Sequence, residues 1–459
     1  MATPERIRCP LNMQVIITHP DRKRILLFPE ESGGRKLPDV VVASDKTGDI
    51  ANCVQEDLEF EGRLEMCRII WQEVEVNDAG GSWHGVCVLR SDCSPGAPKA
   101  PSNLEWVEVE KSSILHPRKE AQSEIDAELR YFMPDSKMIN RYTRSEDQTF
   151  IETVAWMTKE LEAQDCGRVL RAAQVSAGSL NLVVKAETGT GSYFLKRSSS
   201  PNEAVLTQAL STAAPNFIWK PLVIDAEKNF LMSPEFDSSM VIDSTKLSVE
   251  ERQKVLKNFA RLQITAAACM DTIRRPEVRV FSLPWMKSHI DFLLGHEECV
   301  AAELTSLTAE GNEKVLPKLT KMSSKLKNAC EKVDQLSLPL APVHNDFFQS
   351  NLLSPRDGKE EYTFFDWAAG CITHPFFEVF LHVGMPKEDW EVYLQEWKAY
   401  ASADKLRDCL SWKEFYIALR LCQCFVYLFD SVEAVPPARA ATRGRLFLNL
   451  QRLEQSMTG

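Results

Sequence analysis

Short runs of apolar residues dominate the first third of the chain, and their spacing is typical of β-strands. Two of these runs flank the polar turn His19-Pro20-Asp21, which predicts a hairpin. Apolar residues then recur at helical spacing between residues 49 and 60. We therefore predict a β-rich domain over residues 1–133, with helices over residues 49–60 and 118–131 and strands over residues 15–17, 24–28, 67–76, 83–89 and 104–109.

After a polar segment at residues 134–147, the pattern passes from β-rich to almost wholly helical. A helix over residues 149–164 opens this part, and strand patterns follow as far as residue 231. Beyond residue 247 the apolar spacing is helical, over residues 248–267, 285–294, 299–307, 314–335 and 387–456. We predict an α+β fold with a small β-rich lobe over residues 147–236 and a larger helical lobe over residues 237–459, an arrangement that many kinases use.

One polar motif separates two apolar runs in the helical part. His344, Asp346 and Asn351 have the spacing H-x-D-x-x-x-x-N, and Asp366 follows a run of aromatic residues fifteen positions after Asn351. Phosphoryl transfer from ATP needs a carboxylate that orients and deprotonates a hydroxyl, together with oxygen ligands for Mg²⁺. Asp346 is the candidate catalytic carboxylate, and Asn351 and Asp366 are candidate metal ligands. His344 is a second candidate catalytic residue, as a support of the catalytic loop (residues 343–353) or, in the alternative, as a proton carrier.

These residues, with Trp367 and the segment at residues 372–378, resemble the aminoglycoside phosphotransferase/choline kinase family over about residues 149–457. The resemblance implies a protein-kinase-like bilobal fold. It also implies transfer of the γ-phosphoryl group of ATP, with Mg²⁺, to an alcohol group of a small molecule. An acidic residue near Glu378 would brace the catalytic loop.

The resemblance also implies a nucleotide site in the small lobe. Gly178 and Ser179 resemble a loose turn that covers the nucleotide. Lys196 would hold the α- and β-phosphates and pair with Glu203 at the start of a helix, and the alternative cations are Lys185 and Arg197.

Residues 230–235 resemble the strand that leads into the hinge, where backbone groups bind adenine. Pro234 has no N–H, so Ser233 or Glu235 would offer the donor. One departure concerns the helix after the hinge, where many relatives have Leu-His and this chain has Leu262-Gln263. This puts a supporting contact in doubt.

Residues 1–133 resemble a degenerate Nudix domain of α/β/α type, which would precede the kinase-like lobes. In the Nudix helix pattern R-E-U-x-E-E-x-G-U, where U is a bulky aliphatic residue, residues 52–60 keep the acidic pair Glu56 and Asp57. Asn52, Cys53 and Glu59 replace the Arg, the first Glu and the Gly. Half of the metal ligands are therefore missing, and we expect no hydrolysis. The domain would instead contact the kinase unit, close over substrate or form a homodimer.

The charge balance excludes some partners. The chain has 54 basic and 65 acidic side chains and a net charge of -11, whereas nucleic-acid binding needs clustered Lys and Arg, so we expect no nucleic-acid partner. No apolar run approaches the length of a membrane span, so we expect no membrane partner. The 13 scattered cysteines and the absence of a signal sequence favour a reduced, cytoplasmic location.

The acceptor is open, and a cationic amine is one option. Acidic residues that could meet such an amine lie in the helical lobe: Asp291, Glu297, Glu298 and Asp389. Two other functions stay open. One is an ATP-binding regulatory pseudokinase, which the intact set of Asp346, Asn351 and Asp366 disfavours. The other is a Nudix-type hydrolase with an accessory kinase-like domain, which the broken helix motif disfavours.

Overall fold

The structure is a computed structural model of the chain. It describes residues 11–18, 24–29, 35–42, 50–60, 64–77, 80–91, 103–108, 114, 119, 121–122, 125–126, 147–177, 181–198, 200, 202–243, 246–295, 320–347, 351–355, 360–378, 386–433 and 438–458. The chain forms two compact units, Met1–Arg197 with Met232–Glu235, and Ser198–Leu231 with Phe236–Gly459. The predicted domain boundaries at residues 133, 147 and 237 stay predictions.

Strands and helices alternate in the first half, and helices dominate the second. The strands, in chain order, are β1 (Leu11–Thr18), β2 (Arg24–Pro29), β3 (Arg35–Lys36), β4 (Asp39–Val42), β5 (Leu64–Asn77), β6 (Gly80–Ser91), β7 (Glu105–Glu108), β8 (Val169–Ala177), β9 (Asn181–Thr188), β10 (Ser192–Ser198), β11 (Val223–Asp225), β12 (Phe230–Pro234), β13 (Ala341–Val343), β14 (Leu352–Leu353), β15 (Thr363–Phe364) and β16 (Cys371–Thr373). The helices are α1 (Ile50–Asp57), α2 (Asp147–Ala163), α3 (Asn202–Ala213), α4 (Val249–Ala268), α5 (Met270–Ile273), α6 (Leu283–Gly295), α7 (Ser323–Asp334), α8 (Lys387–Glu396), α9 (Ala403–Cys409), α10 (Lys413–Glu433) and α11 (Ala438–Thr458).

The first unit is built on one large mixed sheet. Its strand order is β12-β10-β9-β8-β5-β6-β1-β2-β3, with β4 beside β1 and β7 beside β2. The predicted hairpin is confirmed, because β1 and β2 pair antiparallel with Thr18 opposite Ile25. Strand β1 also runs parallel to β6. Ile16, Ile25 and Trp71 belong to the buried core of this part of the sheet.

The sheet continues from the N-terminal strands into the strands of residues 169–198. Strand β5 pairs antiparallel with β8, and Val74 lies opposite Ala172. Arg171 on β8 forms an ion pair with the buried carboxylate of Glu73 on β5, and Gln174 Nε2 donates to Ile70 O at 2.9 Å. The N-terminal strands therefore extend the same sheet that carries β8, β9 and β10.

The second unit is mainly helical, with two small antiparallel sheets of two strands each, β13 with β16 and β14 with β15. Helix α4 begins at an N-cap, Ser248, whose hydroxyl accepts from the Glu251 N–H while the Ser248 N–H donates to the Glu251 carboxylate. From α4, Phe259 stacks on Phe347 and contacts Phe364, with ring centroids 5.3 and 5.4 Å apart. These aromatic contacts join α4 to the two short sheets that carry the motif residues.

Most of the helices and strands expected from the apolar pattern are present, with boundaries shifted by a few residues. The mixed α and β content is therefore confirmed. The helix predicted at residues 299–307 and most of the one predicted at residues 118–131 lie outside the described residues. The Nudix-like assignment of residues 1–133 stays a prediction. Among the described helices, none has a stretch long and apolar enough to cross a membrane.

Candidate active site

The catalytic loop begins where strand β13 ends. β13 pairs antiparallel with β16, so Val343 lies opposite Cys371. The backbone N–H groups of His344 and Asn345 both donate to Glu378 Oε2, at 2.6 and 3.2 Å. Charge-assisted hydrogen bonds are about twice as strong as neutral ones. Glu378 thus fixes the start of the loop, as the family resemblance implies.

Asn345 turns the chain between His344 and Asp346. Its φ of 60° lies in the left-handed region, which asparagine adopts more readily than most residues. Its Nδ2 donates to Ala369 O at 3.0 Å and to Cys371 Sγ at 3.4 Å. Burial raises the pKa of the Cys371 thiol well above its ordinary value, so the sulfur stays neutral. Asn345, which the sequence motif leaves unspecified, thus links the catalytic loop to β16.

The His344 ring is fully buried and points to the loop that carries Asp366. Its Nε2 lies 2.9 Å from Phe365 O, and since a carbonyl oxygen can only accept, Nε2 carries the proton in this contact. The ring centroid is 4.6 Å from that of Trp367. This arrangement supports a role for His344 in holding two loops together, and that role stays a proposal.

The remaining motif residues lie close together through backbone contacts. Asn351 Nδ2 donates to Asp346 O at 2.8 Å, and Phe365 N donates to Asn351 O at 3.2 Å. The hairpin β14–β15 fixes this neighbourhood, because Leu352 pairs with Phe364. Asp366 follows directly, with a left-handed φ of 65°. The structure therefore gathers the four motif residues into one place.

The donor set at this place fits a magnesium ion. Because Nδ2 of Asn351 donates to Asp346 O, its amide oxygen faces the other way and could serve as a ligand. The Asp366 carboxylate supplies a second oxygen. Mg²⁺ is commonly held by one or two protein oxygens, with waters and phosphate oxygens completing the octahedron. Within the described ranges no group of three or more His, Cys, Asp or Glu forms a metal site, and a site with two protein ligands needs no such group.

The residues proposed for the nucleotide in the first unit lie on neighbouring strands. Lys196 is on β10. Ser233 is on β12, which is next to β10, and Glu235 directly follows the end of β12. Glu235 N donates to Ser192 O at 2.8 Å, so this N–H already has a partner within the unit. The Glu235 carboxylate pairs with Lys185 at 3.0 Å. The Glu235 N–H is therefore already used, and the role proposed for Ser233 stays a prediction.

Glu203 lies in the first turn of α3 and is almost fully buried, at 1% exposure. The preceding residue, Asn202, donates from Nδ2 to Gly370 O at 2.8 Å and accepts from Arg279 N at 3.0 Å. These bonds fix the start of α3 to the segment that follows Asp366. The pairing of Glu203 with Lys196 stays a prediction.

The predicted nucleotide-covering turn falls between β8 and β9. Gly178 and Ser179 lie outside the described residues. The strands on either side pair with each other, with Ala177 opposite Leu182. The role of this turn stays a prediction.

Gln263 stands where many relatives have a histidine, and it still supports the segments on either side of the catalytic loop. Gln263 is fully buried on α4, and its Nε2 donates to Pro342 O at 3.0 Å and to Pro375 O at 2.9 Å. Tyr393 OH donates to Gln263 Oε1 at 2.5 Å. The sequence raised a doubt about this position and gave no sign of the contact, because the partners are backbone carbonyls 79 and 112 residues away.

The acidic residues considered for a cationic acceptor already have partners where the structure describes them. The Asp389 carboxylate is fully buried, and both Arg252 and Gln253 donate to it. Asp291 is exposed and pairs with Lys327 at 3.2 Å. Glu297 and Glu298 lie outside the described residues. Asp389 is therefore a structural ion pair at the start of α8 and not an acceptor-binding group.

The comparison with known protein families gives the class of this protein, a phosphotransferase. Residues 171–412, more than half of the chain, match the phosphotransferase enzyme family. The chain belongs to this family. In a search of curated proteins, nothing matches the chain.

Several solved structures are similar to this chain at low identity. An ethanolamine kinase from Plasmodium vivax is 13% identical, with 75% of this chain and 97% of that chain covered and a TM-score of 0.43. A choline/ethanolamine kinase family protein from Mesorhizobium loti is 18% identical, with 61% and 86% covered and a TM-score of 0.35. A spectinomycin phosphotransferase, solved with ADP and spectinomycin, is 11% identical, with 66% and 98% covered and a TM-score of 0.39.

Proposed function

We propose that this protein transfers the γ-phosphoryl group of ATP to an alcohol group of a small molecule, in a reaction that depends on Mg²⁺. The observation that carries the proposal is the joining of two loops. Asn351 bonds to the backbone of Asp346, the Phe365 N–H bonds to Asn351, and His344 bonds to Phe365. One carboxylate for the acceptor and two oxygen donors for the metal thereby share one neighbourhood.

Asp346 is the group that would meet the acceptor. Its side chain is exposed, whereas the backbone on either side of it is held by hydrogen bonds. An exposed carboxylate on a fixed backbone can accept the proton of a hydroxyl and orient its oxygen. Catalysis of phosphoryl transfer is almost entirely a matter of positioning and charge stabilisation, so a rigid loop is what the reaction needs.

Asn351 and Asp366 would hold the metal, which would neutralise the charge that develops on the phosphates. Lys196 would contact the phosphates, with Glu203 as its partner, and Ser233 would donate to adenine from its backbone. Gly178 and Ser179 would cover the nucleotide. These assignments follow from the family resemblance.

A screen of acceptors tests the function. ADP release from ATP is measured for the full chain with Mg²⁺ against a library of amino alcohols, sugars and aminoglycosides. We expect release that depends on one class of acceptor. Nucleotide binding with no turnover on any acceptor would favour a regulatory pseudokinase instead.

For the N-terminal residues we propose a structural role and no hydrolysis. The pairing of β5 with β8 and the ion pair between Glu73 and Arg171 support this role. Glu56 and Asp57 at the end of α1 are exposed. Glu59, which stands at the glycine position of the Nudix pattern, has a left-handed φ of 49°, a backbone conformation that is common just after the end of a helix. Robust Mg²⁺-dependent diphosphohydrolase activity of the full chain that survives Asp346→Asn would overturn the proposal.

A further inference from the structure

Strand β13, which leads into the catalytic loop, has a strand neighbour on one side. Among the described residues it forms a two-stranded sheet with β16, and Pro342 lies opposite Ile372. Residues 341–344 are fully or almost fully buried. A buried carbonyl that faces away from its strand partner needs a donor from elsewhere. At Pro342 that donor is a side chain, the amide of Gln263 on α4, at 3.0 Å.

The same amide group reaches a second backbone carbonyl. Nε2 of Gln263 also donates to Pro375 O at 2.9 Å. Pro375 lies three residues before Glu378, whose carboxylate accepts from the backbone of His344. One buried amide therefore joins the strand before the catalytic loop to the segment that anchors the loop.

Tyr393 on α8 fixes the orientation of this amide. Its hydroxyl donates to Gln263 Oε1 at 2.5 Å and contacts Pro375 O at 3.3 Å. Because both carbonyls must face the NH₂ group, the amide has one orientation that satisfies all of its contacts. Burial raises the pKa of Tyr393 well above its ordinary value, so the phenol stays protonated and keeps its role as a donor.

We propose that Gln263 and Tyr393 are positioning residues for Asp346, acting through Pro342 and Pro375. The inference rests on the proposed phosphotransferase function. Neither residue would touch the substrate. A shift of about 1 Å in a catalytic group can cost on the order of 100-fold in rate, so loss of this brace should lower turnover before it lowers nucleotide binding.

The kinetic test compares Gln263→Met, which keeps the volume and removes both donors and the acceptor, with Tyr393→Phe, which removes one hydroxyl. The matched control is Asn258→Leu, on the same helix, because the hydrogen bond that Asn258 Nδ2 donates goes to Lys254 O, within α4 itself. We expect kcat to fall by about 10- to 100-fold in Gln263→Met, with KM for ATP changed by less than about twofold. Asn258→Leu should keep kcat.

The double variant adds a second criterion. If the two residues act as one unit, Gln263→Met with Tyr393→Phe should be no slower than Gln263→Met alone. Multiplied effects of the two single changes on kcat would show independent roles and overturn the proposal. So would an equal loss of kcat in Asn258→Leu, because a general loss of stability would then explain both.

Hydrogen exchange separates this proposal from the proposed function, since it needs no turnover. In the protein without ligands, amide exchange in the peptide covering residues 343–347 should rise by about 10-fold or more in Gln263→Met and Tyr393→Phe, and stay unchanged in Asn258→Leu. Should Gln263→Met fail to fold, Tyr393→Phe alone decides. Unchanged exchange in this peptide would overturn the positioning role of Gln263 and Tyr393 even if the wild-type protein is an active kinase. Increased exchange in the variants, together with no phosphotransfer by the wild-type protein, would overturn the proposed function. It would still show that Gln263 and Tyr393 stabilise residues 343–347.

Discussion

The catalytic loop and helix α1 both present acidic side chains, yet their surroundings differ. Around Asp346 the backbone is held by Glu378, which lies 34 residues after His344, and by Asn351, which lies five residues after Asp346. At the end of α1, Glu56 and Asp57 are exposed on a short helix. A carboxylate can act in catalysis when contacts fix its backbone and other polar groups lie beside it in a productive geometry. The contrast explains why we assign function to the first region and a structural role to the second.

The largest effect is expected for Asp346→Asn, which keeps the shape of the side chain and removes its charge. Loss of a general base lowers kcat by about 10²- to 10⁴-fold. KM for ATP should change little, because Asp346 would meet the acceptor. The ADP release assay measures both constants, and Asp408→Asn, an exposed carboxylate on α9, serves as the control. Equal kcat in the two variants would remove Asp346 from the mechanism.

The next effect is expected for Asp366→Asn. Asparagine tolerates the left-handed φ of 65° as well as aspartate does, so the change removes charge without adding backbone strain. Loss of outer-sphere partners alone lowers the affinity of metal sites by about 10- to 100-fold. Loss of a direct ligand should therefore raise the Mg²⁺ concentration that gives half of the maximal rate by at least about 100-fold. The rate is measured over a Mg²⁺ titration. An unchanged titration curve with full activity would refute the metal assignment.

A moderate effect on stability is expected for Gly370→Ala, which probes the packing behind Asp366. An added Cβ would lie 2.8 Å from Leu206 Cδ2 and 3.0 Å from Trp367 O. Overpacking of this kind typically costs about 1–3 kcal/mol. The control is Gly189→Ala, where nothing lies within 4 Å of the new atom, so its effect should range from none to about 1 kcal/mol of stabilisation. Denaturant unfolding measures both, and equal midpoints would show that this region repacks freely.

The smallest effect is expected for the double change Glu56→Gln with Asp57→Asn on α1. Both side chains are exposed, and surface substitutions of this kind usually change stability by less than about 0.5 kcal/mol. Phosphotransfer should also be unchanged. Unfolding midpoints and ADP release check the two parts. A loss of Mg²⁺-dependent diphosphate hydrolysis in this variant would show that α1 carries chemistry of its own.

Sequence alone could locate the motif residues, because they lie in one short stretch of the chain and have a specific spacing. It marked Gln263 only as a departure from the family pattern, and it could not show the contacts of Gln263 with backbone carbonyls 79 and 112 residues away. Nor could it find Tyr393, which is 130 residues from the Gln263 amide. Backbone carbonyls carry no residue-specific signal, so a side chain that binds them leaves no pattern.

Contacts between backbone groups also limit what the sequence predicts for the N-terminal part. The apolar spacing predicts the strands, and β5 and β6 extend a few residues beyond the expected limits. It could not predict that β5 pairs with β8, because strand pairing depends on main-chain groups that every residue has. The ion pair between Glu73 and Arg171 can be recognised as a contact between β5 and β8 only when the two strands are placed side by side.

Transfer of labelled γ-phosphate from ATP to an acceptor tests the central claim most directly. The wild-type chain, Asp346→Asn and the double variant of Glu56 and Asp57 are compared side by side with the acceptor found in the screen. We predict labelled acceptor from the wild type and the α1 variant at equal rates, and almost none from Asp346→Asn. Label transfer that survives Asp346→Asn, or that is lost in the α1 variant, would contradict the account.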